Sequence, residues 1–225
     1  MSGQTAVVVG ATGMIGNQVV EQLIRENAFS TIRLLVRKPI THPSPKVEIA
    51  TVNFDDPADL AQKLAAGTSI FCCVGTTQSK VKGDQAAYRK VDFDLPLNVA
   101  KQGLKNGFTT FLLVSAVGAN PASKNFYLRL KGETEEALKK LSYPSMHIFQ
   151  PSLLMGERKE FRITEKIAQT VFPVIATMFL GALTKYKPIH ATAVAAAMAQ
   201  CAKSAIPGFH VYTYQNMRQL AKSAD

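Results

Sequence analysis

The 225-residue sequence predicts an α/β chain: a doubly wound parallel sheet with helices on both faces and a small C-terminal helical segment beside it. Three observations predict it. Short β-branched runs alternate with stretches whose apolar residues recur at helical spacing. The runs at 69–74 and 109–114 are almost continuously apolar, as strands covered on both faces must be. The first run ends in the glycine-spaced turn Gly10-Ala11-Thr12-Gly13-Met14-Ile15-Gly16, directly before a helix.

Taken in order, residues 5–9 are a β-branched strand ending at Gly10, and apolar positions recur at helical spacing over 15–24. A second strand spans 31–36, and the polar, proline-containing stretch 37–46 leads to a third over 47–52. Asp56-Pro57 opens a helix through Leu64, because proline is tolerated in a first helical turn. The fourth strand, 69–74, is closed by Gly75-Thr76-Thr77. A helix over 88–106 carries Pro96, which is expected to bend it. Strands over 109–114 and 145–149 flank a strongly helical stretch at 126–141, and the second of them ends at Gln150-Pro151. Beyond Ser152 the pattern weakens, to helical segments near 163–183 and 191–202 and a last strand over 209–214. The expected organisation is one domain over 1–225, with 152–190 as its substrate-side or lid segment.

A hydrophobic content of 47% is ample for a core in a chain of this length. The apolar run before the first glycine of the loop, Ala6 to Val9, is only four residues long, too short for a secretory h-region, so a cytoplasmic location is expected. Three cysteines, two of them the adjacent Cys72 and Cys73, form neither a disulfide framework nor a metal-ligand spacing, and read as small buried hydrophobes. The net charge is +10, with 12 basic against 9 acidic residues up to Leu112 and 14 against 7 beyond it. The charges are scattered and no nucleic-acid motif accompanies them, so an anionic cofactor is expected rather than nucleic acid. The most apolar stretch, 167–183, is interrupted by Gln169, Thr170, Pro173 and Thr177 and falls short of the roughly 20 residues of a spanning helix. It reads as a buried or dimer-facing helix, with a substrate-channel lid or a peripheral membrane contact as alternatives; monomer and homodimer both remain open.

Open parallel sheets bind ligands beyond the carboxyl ends of their strands, and the first strand delivers its glycines there. Gly10 permits the tight turn, Gly13 lets backbone approach a pyrophosphate, and Gly16 lets helix pack closely on strand, while the amides at Thr12, Met14 and Ile15 and the helix dipole face the phosphates. This is the arrangement of a Rossmann-type dinucleotide domain. After the second strand a ribose-binding carboxylate would argue for NAD, but Arg37-Lys38 stands there, a pair suited to the 2′-phosphate of NADP(H) or else an ordinary solvated basic pair. Asp55 follows the third strand, where a carboxylate would accept hydrogen bonds from the adenine amine; Asp56 reads equally as a helix N-cap.

Ser115 ends the strand at 109–114, and Tyr127 and Lys131 stand four apart on the following helix, which places them on one face. A phenol titrating near 10 is a poor acid at neutral pH, and an adjacent ammonium is expected to lower it. Tyr127 would then give a proton to a carbonyl oxygen that Ser115 holds. The bland alternative is a helix-surface pair contributing a few tenths of a kcal/mol. His42, His147, His190 and His210 look isolated and structural, and no metal site is expected.

Together, the Gly10–Gly16 loop, Cys72-Cys73-Val74-Gly75-Thr76-Thr77, Leu113-Val114-Ser115-Ala116-Val117-Gly118-Ala119 and Tyr127-Leu128-Arg129-Leu130-Lys131-Gly132-Glu133 resemble the Tat-interacting-protein-like branch of atypical short-chain dehydrogenases/reductases. The resemblance is best from Gly10 to about Arg158. It implies NADPH in a Rossmann fold, with Ser115, Tyr127 and Lys131 as the catalytic set and Lys131 on the nicotinamide ribose. It also implies Val74, Gly75, Thr76 and Thr77 lining the cofactor, and Gln150, Pro151 and Ser152 beside the nicotinamide. Pro188-Ile189-His190 and the alanine-rich stretch after it are similar to the segment that closes many such domains. Ala116 and Val117 stand where the family often has a second serine or a lysine, which leaves substrate polarity open. Three functions are compatible with this reading: an NADPH-dependent reductase of a carbonyl on an apolar small molecule, an NADPH-binding regulatory or redox-sensing module, and a membrane-peripheral chaperone-like subunit.

Overall fold

Consecutive valines make Gln4–Val9 (β1) a strand whose side chains serve both faces of a sheet: Ala6 and Val8 join one apolar cluster, Val7 and Val9 the other. The computed structural model describes residues 3–76, 81–155 and 181–223. Seven strands lie parallel in the order β3-β2-β1-β4-β5-β6-β9, where β2 is Phe29–Val36, β3 Val47–Thr51, β4 Ser69–Cys72, β5 Thr110–Val114, β6 Ser145–Phe149 and β9 Gly208–Tyr212. Leu154–Met155 (β7) and Ile189–His190 (β8) form a separate parallel pair, tying together the two ends of the expected substrate-side segment. The chain winds outward from β1 through β2 to β3 and returns to β4 on the other side of β1, so the order reverses at the carboxyl end of β1. The glycine turn lies at that switch point.

One face is covered by Met14–Arg25 (α1), Ala191–Ser204 (α6) and Tyr214–Lys222 (α7), the other by Pro57–Leu64 (α2), Leu95–Lys105 (α4) and Phe126–Lys139 (α5). The alanine-rich α6 packs nine of its residues into the core, and the small side chains let it lie close against the sheet and α1. Phe71 and Phe111 are fully buried on opposite faces; truncating either to alanine is expected to cost about 3–5 kcal/mol.

Element boundaries depart from the sequence reading with structural consequence at four places. The fourth strand stops at Cys72, because Cys73 and Val74 already turn past Gly10. The helix expected over 88–106 begins earlier, as Gln85–Arg89 (α3) capped by Asp84, and passes through a π-helical turn at Lys90–Asp94 before α4. Pro96 is the cause: without an N–H it cannot bond the carbonyl of Asp92, and the ladder slips so that Leu95 N–H reaches Lys90 O. The last strand ends at Tyr212, and Thr213-Tyr214 open α7 instead of extending it; Asn216 accepts the Thr213 amide at 3.1 Å. Gly181–Tyr186 is a short 3-10 helix, while the remainder of the apolar stretch at 167–183 lies outside the described residues. Among the described residues no helix is long and apolar enough to cross a membrane, and no three His, Cys, Asp or Glu side chains gather around a metal position.

Candidate active site

The glycine turn separates what the fold needs from what a ligand would use. Gly10 sits at φ +86°, and a β-carbon there would lie 2.7 Å from Cys73 C. At Gly16 the added carbon would be 2.1 Å from Gly10 O. These two glycines are demanded by packing. Gly13 has φ −80°, and its added carbon would meet only Gly10 O at 3.2 Å and Cys73 O at 3.9 Å. Its empty side is a cradle open to a close-approaching group. Gly13 also N-caps α1, whose end has no side-chain cap and no acidic residue in the first turn, leaving its amides to an anion. Thr12 and Gly13 are exposed, whereas the side chains of Ile15 and Met14 belong to the core, so any cofactor contact there is through backbone. These features fit a diphosphate.

Arg37 and Lys38 follow β2, one strand over from the turn, and are exposed. Among the described residues no hydrogen bond or ion pair engages either of them. Asp55 is not free: Lys90 Nζ lies 2.8 Å from its Oδ2, in an exposed pair that exchanges with solvent and contributes little. Asp56 caps α2, accepting from Ala58 N at 2.9 Å and Asp59 N at 3.3 Å.

Tyr127, Lys131 and Glu135 fall on one face of α5, four residues apart. Lys131 is buried, with Nζ 2.8 Å from Asp92 Oδ1 and 6.0 Å from the centre of the Tyr127 ring. The other Asp92 oxygen accepts the amide of Thr76 at 2.8 Å, and Tyr88 Oη donates to Thr76 O at 3.0 Å, so the lysine is fastened to the loop after β4. The π-helical turn presents Asp92, and its carbonyl, released by Pro96, is approached by the Thr134 hydroxyl at 3.0 Å. Burial pulls the Lys131 ammonium down, but the Asp92 carboxylate and the Tyr127 phenol outweigh it and leave it above its ordinary value. The phenol behaves differently from the sequence expectation. Burial pushes Tyr127 up by more than Lys131 draws it down, and Asp92 adds to the rise.

Ser115 directly follows β5 and is 4% exposed, and its hydroxyl donates to Glu135 Oε1 in a close contact. Gln150 Nε2 spans both Glu135 oxygens, at 3.0 and 2.9 Å. Pro151 is buried and its carbonyl accepts Val117 N at 3.0 Å; Ser152 donates its hydroxyl to Lys187 O, knitting the strand end to the segment before β8. Val74 packs on the core, Gly75 is exposed beside Asp92, and Thr77 lies outside the described residues. The sequence reading missed Asp92 and Glu135. A proline four residues after an aspartate, and a glutamate four residues after the lysine, were the available signals.

Two of the histidines are not isolated: the rings of His147 and His210 stack with centroids 5.4 Å apart. Burial pushes the Cys72 thiol up to about 12 and Cys201 to about 11, and raises Cys73 as well, so none is a ready thiolate.

Over residues 10–205 the chain matches the model of a family described as NAD(P)H-binding. The mitochondrial protein FMP52 of Candida glabrata is 34% identical over 160 residues, 71% of this chain and 68% of that protein. HTATIP2 of Rattus norvegicus is 29% identical over 175 residues, 76% of this chain and 72% of that protein. Among solved structures, the enzyme WbmH of Bordetella bronchiseptica in complex with NAD+ superimposes with a TM-score of 0.72 at 13% identity, covering 95% of this chain and 76% of that one. MoeE5 in complex with UDP-glucose and NAD gives 0.69 at 13% identity, covering 93% and 75%. At such identities the structural likeness speaks for the fold.

Proposed function

The chain belongs to the NAD(P)H-binding family, and from that premise we propose an NADPH-dependent oxidoreductase of the atypical short-chain dehydrogenase type that reduces the carbonyl of an apolar small molecule. The observation that carries it is the Tyr127–Lys131 pair on one face of α5, with Lys131 buried and held at 2.8 Å by Asp92, on the same helix face as the Glu135 that binds Ser115. When bound, NADPH supplies hydride. The chain supplies the proton: Tyr127 Oη gives it to the carbonyl oxygen, Ser115 holds that oxygen, and the Lys131 ammonium stabilises the phenolate left behind until solvent reprotonates it. Gly13, the amides opening α1, and residues 74–77 with 150–152 would hold the cofactor, and Arg37 and Lys38 would take its 2′-phosphate.

Tyr127→Phe tests this reading. It removes one oxygen while keeping the ring, so turnover is expected to fall at least about a hundredfold with NADPH affinity nearly unchanged. Native turnover in that variant would overturn it. Cofactor choice is tested by fluorescence titration: NADPH binds more tightly than NADH, and Arg37→Ala weakens NADPH by about 1.5–3 kcal/mol while leaving NADH nearly unaffected. Equal affinities for the two cofactors would sink the assignment.

A second reading, an NADPH-binding regulatory module, is favoured by one observation: the Tyr127 phenol is raised, not lowered, by its surroundings. Cofactor binding without turnover of aldehydes, ketones or quinones would select it. The raised thiols of the buried Cys72 and the half-buried Cys73 speak against cysteine as a redox sensor in such a module. The cytoplasmic expectation competes with the location in the names of the fungal relatives, and cell fractionation against cytosolic and mitochondrial markers assigns the chain to one of them.

A further inference from the structure

Two carboxylates sit near Lys131, and their surroundings differ. Asp92 takes the ammonium directly at 2.8 Å. Glu135 has only neutral donors, the Ser115 hydroxyl and the Gln150 amide, and among the described residues no ammonium or guanidinium pairs with it. Neighbouring carboxyls in unlike environments divide roles between them.

A serine hydroxyl has one hydrogen to give. While Glu135 is ionised, that hydrogen goes to the carboxylate, and Ser115 can offer a ligand only lone pairs. A carbonyl oxygen, itself an acceptor, gains nothing from them; an alcohol O–H does. Once Glu135 takes a proton from solvent, its own O–H donates to Ser115 Oγ, the other oxygen keeps the Gln150 amide, and the serine hydrogen is released toward a ligand. We propose that Glu135 is a positioning residue that sets the hydrogen-bonding sense of Ser115. The site then takes a carbonyl compound when Glu135 is protonated and the corresponding alcohol when it is ionised. The inference rests on the reading of Ser115 as the group that holds the substrate oxygen.

Among the described residues, the groups facing Glu135 are few. On its own helix Lys131 draws it down and Glu136 pushes it up; from β5 the Ser115 hydroxyl and from the end of β6 the Gln150 amide stabilise its ionised form. Burial is the largest influence, and the balance lies above the ordinary carboxylate value.

Isotope-edited infrared titration of the full chain reads Glu135 with neither cofactor nor substrate present. The carboxyl stretch that disappears in Glu135→Gln is expected to titrate above the ordinary carboxylate range. In Ser115→Ala its midpoint should rise by about one pH unit, because the ionised form has lost a donor. An unmoved midpoint in a Ser115→Ala protein with native circular dichroism overturns the proposal. Kinetics with NADPH and phenanthrenequinone as the carbonyl probe give an independent readout. KM is expected to rise up to about tenfold with pH through the same midpoint, kcat being less affected. Glu135→Gln, whose amide donates to Ser115 as the protonated acid does, keeps KM low across the range. The same rise in Glu135→Gln overturns the proposal. If the native protein turns over neither this quinone nor other carbonyl probes, the reductase reading fails, and the Ser115→Ala infrared midpoint still decides the coupling.

Discussion

Lys131 and Asp92 have side chains 6% and 1% exposed, and each is the other's charge compensation. Removing one partner of such a pair strands a buried charge, at a cost of about 3–5 kcal/mol, whereas replacing both leaves no buried charge uncompensated. Asp92→Asn and Lys131→Met are therefore each expected to lower the melting temperature by on the order of 10 °C, and the double variant by less than their sum. Additive losses in a thermal double-mutant cycle would show that the pair contributes no coupling. At this scale the sequence was half legible. Spacing alone puts Tyr127 and Lys131 on one face, because a helix repeats on itself. The residue that holds the lysine lies far back in the chain, and only tertiary structure brings it there. The expectation that the ammonium would lower the phenol omitted burial and Asp92, neither of which a linear spacing records.

The elements carrying these residues were legible where composition alone dictates backbone, as at the glycine turn, and less so where one residue shifts a hydrogen-bond ladder. Pro96 was expected to bend a helix; what it does is open a π-helical turn that presents Asp92 to Lys131 and frees a carbonyl for Thr134. The glycine turn yields a sharper distinction. Gly13→Val places its β-carbon 3.2 Å from a carbonyl oxygen at an ordinary φ, so the fold is expected to survive while the branched side chain fills the cradle proposed for the diphosphate. Gly16→Val drives its β-carbon to 2.1 Å from Gly10 O, backbone that cannot yield without parting α1 from β1. Gly13→Val is thus expected to keep native circular dichroism and lose NADPH binding, and Gly16→Val to unfold or melt far lower. If Gly13→Val binds NADPH with native affinity, the loop is merely a turn.

The whole molecule follows from the alternation of strands and helices, which prescribes a parallel sheet and right-handed crossovers. It does not say which distant side chains the finished sheet sets side by side. The parallel pairing of β6 with β9 brings His147 beside His210 and under Tyr212, and there the protein acquires an acid sensitivity that four scattered histidines do not announce. The Ser145 hydroxyl donates to Ile206 O at 2.8 Å, so the His147 Nε2–H must donate to Ser145 Oγ at 2.8 Å, which leaves Nδ1 bare to accept the Tyr212 hydroxyl at 2.9 Å. The neutral ring is satisfied on both nitrogens, and a second proton would face a donor. Burial, helped by His210, lowers His147 from 6.5 to about 4. Because the unfolded chain binds the proton more readily, this group's contribution is complete above pH 6.5 and is lost as pH falls toward 4. The loss amounts to about 3 kcal/mol over that window. Glu135 acts oppositely: raised from its ordinary 4.5, its contribution is present below that value and fades as pH rises through the folded one. Denaturant titrations of the native chain across pH 4 to 7 thus read a difference of two slopes. His147→Gln, compared with the native chain, is expected to abolish the fall in stability on acidification and to leave the Glu135 slope, stability declining as pH rises. An acid-side loss that persists undiminished in His147→Gln would assign the sensitivity to another group.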